Sequence, residues 1–142
     1  MDTITIKKLE PSHLSQISEW FNTDAASTLF KVPQLSSFDF GYLGSRFQGW
    51  VALDGDNIVA VVTIDVDEQN DGYLDFAVKP SERRQGIGDY VVANILKDPF
   101  VNNLGKLSAS TTSDNSAAQR TLINNNFLKT GYTPEGYLKF ER

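Results

Sequence analysis

Arg83, Arg84, Gly86 and Gly88 fall within six residues of one another, inside the stretch Tyr73–Leu96, YLDFAVKPSERRQGIGDYVVANIL. Before them comes a short apolar run of Leu74, Phe76, Ala77 and Val78, and Pro80 lies in the turn between. After them Ile87, Val91 and Ile95 recur at helical spacing. A strand that runs through a basic, Gly-rich turn into a helix is an anion-binding device. The first N–H groups of the helix lack partners, its dipole is positive at that end, and glycine lets a phosphate approach the backbone. The pattern reads as a pyrophosphate cradle; the alternative is a basic turn with glycines ahead of an ordinary core helix. Two other phosphate motifs are excluded. No Gly-x-x-x-x-Gly-Lys-Ser/Thr is present, and the third glycine of a dinucleotide fingerprint would fall where Val91 stands.

The rest of the chain must position that turn. A length of 142 residues with 40% hydrophobic and 22% charged residues suits one globular domain, residues 1–142, with a real core. No apolar run is long enough to span a bilayer and MDTITIKKLE lacks a signal-peptide core, so neither membrane association nor export is expected. The absence of cysteine excludes disulfides and a thiol nucleophile, which fits a cytoplasmic protein. One histidine, His13, rules out a multi-histidine zinc site, so no metal is expected. His13 itself reads as a surface or packing residue beside the stripe Leu14, Ile17, Trp20 and Phe21. A net charge of −5 argues against nucleic acid as a partner.

In chain order, Thr3–Lys8 alternates as a half-buried strand, and Pro11 opens a first helix. Half of the aromatic residues lie between Trp20 and Trp50, a segment expected to pack, with a short second helix and a loop. Trp50–Leu53, the turn Asp54-Gly55-Asp56-Asn57 and Ile58–Val66 form a hairpin whose second strand looks covered on both faces. Asp71-Gly72 then turns into Tyr73–Val78. Asp98-Pro99 ends the helix after the cradle. Leu107, Ala109 and Thr111 alternate with Ser108 and Ser110 in a fifth strand. Asp114, Asn115 and Ser116 are cap residues for a further helix, and Asn126 follows it where a left-handed residue is wanted. Phe127–Thr130 and Tyr137–Phe140 read as a closing hairpin. Asp65, Asp67, Glu68 and Asp71 gather near one turn: either a solvated hairpin tip or an attractor for a cationic amine.

The element order β-α-α-β-β-β-α-β-α-β-β, with Arg83-x-x-Gly86-x-Gly88 and Asn115-x-x-Ala118 followed by Asn126-Phe127, resembles the GNAT superfamily of Gcn5-related N-acetyltransferases. The resemblance implies an α/β (α+β) fold with a mixed, mostly antiparallel sheet of about seven strands and about four flanking helices. It also implies acetyl-CoA as cofactor and transfer of an acetyl or other acyl group to a primary amine by direct attack. The amine acceptor, of a small molecule or a peptide, would be cationic if the acidic cluster serves it. Carried onto this sequence, the cofactor-binding positions are Phe76, Ala77, Val78, Arg83, Arg84, Gln85, Gly86, Ile87, Gly88, Asp89, Asn115 and Ala118. Phe76 and Val78 would offer backbone bonds to the pantetheine arm where the fourth and fifth strands splay at a bulge, and the Val78 N–H would face the thioester oxygen. Asn115 is a contact to that arm or simply a helix cap.

Two proton transfers remain. Asp75 is the expected base, directly or through water; otherwise it is a solvated strand residue. Leu122 stands where the family often has a tyrosine, so the usual acid is missing. Tyr132 is a weak substitute, and a thiolate with a pKa near ~8.5 can leave unaided. That departure keeps a second reading open, a noncatalytic acyl-CoA-binding module. Exposed edge strands would allow a homodimer.

Overall fold

The computed structural model describes residues 3–20, 47–83 and 85–142. The expected second helix, Arg84 and most of the aromatic segment (Phe21, Phe30, Phe38, Phe40 and Tyr42) lie outside the described residues. Seven strands form one sheet: β1 (Ile4–Lys8), β2 (Phe47–Asp54), β3 (Asn57–Val66), β4 (Gly72–Val78), β5 (Leu107–Thr111), β6 (Leu128–Tyr132) and β7 (Leu138–Glu141). Their order across the sheet is β1-β2-β3-β4-β5-β7-β6, and only the β4–β5 pair is parallel. Among the described residues the helices are α1 (Leu14–Trp20), α2 (Ile87–Ile95), the short α3 (Pro99–Asn102) and α4 (Ser116–Asn124).

The sheet has two covered faces. On one, Trp50, Val62, Ile64, Leu74, Leu107 and Phe140 pack with Ile87, Val91 and Ile95 of α2 and Leu122 of α4. On the other, Val51, Val61 and Ala77 pack beneath Ile17 and Trp20 of α1. Strand β3 is therefore buried continuously from Ile58 to Ile64, as its unbroken apolar run requires. A register shift between Ala52 and Leu53 inserts Val59 into the first face and Ile58 into the second, so both odd and even apolar residues find a core.

Local chemistry sets the helix ends. Asp98-Pro99 does close α2, but it also starts α3: the Asp98 carboxylate accepts from the Phe100 N–H at 2.9 Å with Pro99 in the first turn. Phe100 then meets the Trp50 ring edge-on at 6.0 Å, fixing the far end of the α2 layer to β2. Helix α4 ends as Asn126 predicts. Its φ is 70°, the Asn126 N–H donates to the Ile123 carbonyl at 3.1 Å, and the Phe127 N–H reaches the Leu122 carbonyl at 3.0 Å. That pair of bonds is a Schellman cap, and the buried side chains of Leu122 and Phe127 close it. His13 serves a similar end: its Nδ1 accepts from the Glu10 N–H at 3.0 Å, so it finishes a turn before α1.

Candidate functional site

Strand β4 has one fully used edge and one that is barely used. Against β3 it pairs without a register shift from Gly72–Val66 to Val78–Ala60. Against β5 only Gly72–Leu107 and Tyr73–Ser108 pair, and beyond them the two strands part. The splay expected from the resemblance is present, but the bulge is not: β4 runs in register against β3 along its whole length. Strand parity therefore holds for every residue in it.

The alternation of an antiparallel ladder decides which backbone groups meet the gap. The Lys79 N–H donates to the Val59 carbonyl at 2.8 Å, so the odd-numbered residues of β4 bond to β3. The Gly72 N–H donates to the Lys106 carbonyl at 2.8 Å, so the even-numbered ones aim at β5. Past the last registered pair, the backbones of Phe76 and Val78 thus face the gap. Ala77 does not: its backbone faces β3 and its side chain sits under α1.

The foot of the gap is pinned by residues of the acidic cluster. Asp71 accepts from the Lys106 N–H at 2.8 Å and the Gly105 N–H donates to the Asn70 carbonyl at 2.8 Å. Asp67 accepts from the N–H groups of Gln69 and Asp71 at 2.9 and 3.0 Å and from the Tyr73 hydroxyl at 3.1 Å, which raises the Tyr73 phenol above its usual range. Those two carboxylates are turn caps. Asp65 differs: it shares a sheet face with Tyr73, directly opposite it, and with Asp75 on the diagonal. Partial burial raises its carboxyl pKa.

At the other end of β4, Lys79–Gln85 lead to Gly86, whose φ of 77° lies where a side chain is strained. The first intrahelical bond of α2 is Tyr90 N–H to the Gly86 carbonyl at 3.1 Å, so the N–H groups of Ile87, Gly88 and Asp89 have no helical acceptor. Gly88 answers a packing constraint: a Cβ there would sit 3.3 Å from Thr121 Oγ1 of α4 and 3.5 Å from Val78 Cγ2. It lets the start of α2 lie against both α4 and the end of β4, so the start of α2 and the gap are neighbours. The Asp89 carboxylate, an acidic group in the first turn, accepts from Asn124 Nδ2 of α4 at 2.7 Å. Arg83 donates through Nε to the Val78 carbonyl at 3.2 Å, and Gln85 donates to Glu82 at 3.4 Å.

Across the gap, Asn115 caps α4, its Oδ1 accepting from the Ala118 N–H at 3.1 Å. Asp75 is exposed on the α1 face of the sheet, opposite the buried Thr63, and keeps the parity expected without a bulge. Tyr132 is not brought together with these groups. It lies on the outer strand β6, 65% exposed, with Lys129 Nζ 5.3 Å from its ring centre. Leu122 is buried in the core and can offer no proton.

Sequence reasoning missed Thr111, Thr121 and Asn124. Thr111 ends β5, is buried, and its Oγ1 has no hydrogen-bond partner among the described residues. The signal was its parity: it alternates inward with Leu107 and Ala109. Surface clefts lined by Lys7, His13 and Asp56, and by Ile6, Trp50 and Asn94, lie at the β1 side of the sheet, away from this gap.

A family profile described as acetyltransferase (GNAT) family matches residues 14–123. Among curated proteins, none matches by sequence. Among solved structures, spermidine N-acetyltransferase from Vibrio cholerae in complex with CoA and spermine is similar, with TM-score 0.81, 14% identity, and coverage of 100% of this chain and 96% of that one. An aminoglycoside acetyltransferase in complex with coenzyme A and kanamycin gives 0.78 at 14%, covering 98% and 94%. Ribosomal-protein-S5-alanine acetyltransferase from Vibrio fischeri gives 0.81 at 13%, covering 100% and 93%. At such identities the likeness establishes the fold.

Proposed function

The chain belongs to the GNAT acetyltransferase family, and from that premise we propose that it is an N-acyltransferase that passes an acetyl group from acetyl-CoA to a primary amine by direct attack. The observation that carries this reading is the parting of β4 and β5 after Tyr73–Ser108, beside the open N-terminus of α2. The residues present fit the cofactor. N–H groups of Ile87, Gly88 and Asp89 would take its diphosphate, and the Phe76 and Val78 backbones would take its amide-bearing arm as a further strand is taken. Asn124 supports this by holding the Asp89 carboxylate toward α4. Arg83, bonded to the Val78 carbonyl, couples the turn to the end of β4.

Bound there, acetyl-CoA supplies an activated acyl carbon. The Val78 N–H, which the ladder aims into the gap, would bond an oxygen that gains negative charge. Asp75 lies on the opposite sheet face from Phe76 and Val78, so an acceptor arriving on the α1 face meets a carboxylate able to take the ammonium proton, directly or through one water. Asp65 stands diagonal to it and adds a second negative site. This pair supports a cationic acceptor, the chemistry shared by the spermine and kanamycin bound to the two neighbours. Leu122, buried in the core, has no proton to give, so a departing thiolate would leave without a tyrosine acid at that position.

The test is release of free thiol from acetyl-CoA against a panel of mono- and polyamines. Acceptor-dependent release that falls with ionic strength is expected. Cofactor binding without such release would select the noncatalytic acyl-CoA-binding reading instead.

A further inference from the structure

Resting on that reading, we infer that Thr111 is a cofactor-binding residue whose hydroxyl bonds an amide of the pantetheine arm from the β5 side of the gap. Thr111 is 6% exposed and its Oγ1 is the one buried side-chain oxygen or nitrogen without a hydrogen-bond partner among the described residues. A buried hydroxyl without a partner destabilises a fold relative to a valine of the same shape. Its place in the sheet gives it a reason to be there.

Counting along both strands from the pair Gly72–Leu107 brings Thr111 level with Phe76, whose backbone faces the gap. Thr111 pairs with Leu138 of β7 on its other side, and Leu138 belongs to the core on the α2–α4 face. The Thr111 side chain is therefore on the same sheet face as those of Phe76 and Val78. One wall of the gap carries backbone N–H and C=O groups; on the other, the Thr111 hydroxyl, enclosed in the ligand-free chain, would donate or accept once the arm lies beside it. An arm built of amides needs polar partners on both sides. Ala109, one turn of the pleat earlier, offers none, so Thr111 is the polar side chain that β5 presents on this face.

Calorimetric titration of the full chain with coenzyme A, and separately with 3′-phospho-ADP, which lacks the arm, tests this in the wild type, Thr111→Val and Thr111→Ser. Thr111→Val should weaken coenzyme A by about five- to tenfold and leave 3′-phospho-ADP unchanged. The ligand-free valine variant should melt at the wild-type temperature or about 2–4 °C above it. Thr111→Ser keeps the hydroxyl and should stay within about threefold of wild type. Equal affinities for coenzyme A in wild type and Thr111→Val, or equal losses for both ligands, would overturn the assignment. So would a lowered melting temperature in the valine variant, since it would mean that the hydroxyl already has a partner. Absence of coenzyme A binding by the wild type would instead remove the acyltransferase reading itself, and this inference with it.

Discussion

The two edges of β4 are made of the same seven residues and do different work. Toward β3 every position from Gly72 to Val78 is paired; toward β5 pairing stops at Tyr73. The first edge has its hydrogen bonds satisfied within the sheet and resists change. The second keeps strand geometry while leaving the Phe76 backbone and the Val78 N–H aimed at a space, which under the proposed function would be a template for an incoming amide chain. A central strand can hold such an open edge because its other edge fixes it. Under the proposed function, rigidity on the β3 side would preorganise recognition on the β5 side.

The largest effect that would sharpen this contrast is chemical. Asp75→Asn should lower turnover by about a hundredfold or more, the usual weight of a general base, with coenzyme A affinity unchanged by calorimetry. Should it lose stability instead and keep its turnover, β4 would be structural on the α1 face and the base would lie elsewhere. A smaller effect is expected at Asp65, whose carboxyl is raised by partial burial. A raised carboxyl binds its proton more readily folded than unfolded. Its stabilising contribution is present below the unfolded pKa and is lost as pH rises through the folded one. Asp65→Asn should therefore melt about 1–2 °C higher than wild type near neutral pH, with the difference closing as pH falls toward the ordinary carboxylate range. The same variant should discriminate less between polyamine and monoamine acceptors. Smallest of all, Tyr132→Phe should change turnover by less than about twofold, since its hydroxyl sits on the outer strand β6. A large loss there would move the site away from the β4–β5 gap.

Much of this was legible wherever one residue dictates the backbone. Gly86 at positive φ, Asn126 at positive φ and the Asn115 cap each follow from what their residue types permit. Asp98-Pro99 shows the limit: it signals the end of one helix and the start of another equally well, and only the bond to the Phe100 N–H tells that it is both. The acidic cluster shows another. Asp67, Asp71 and Asp65 look alike in sequence, yet two are consumed by turn hydrogen bonds and one lies on the sheet face. Those roles depend on partners such as Lys106, far along the chain. The two glycines at the start of α2 divide in the same way, Gly86 answering to local conformation and Gly88 to the approach of Thr121 from α4. Thr111 was visible as an inward parity, but the lack of a partner is a property of the packed core alone.

The central claim is that the open start of α2 and the gap beside it grip coenzyme A, and one calorimetric comparison tests it. Wild type should bind coenzyme A with measurable heat, and Gly86→Val, which forces a β-branched residue to the φ of 77°, should weaken that binding by at least about tenfold while remaining folded. Binding that is absent in the wild type, or equal in the two proteins, would contradict it.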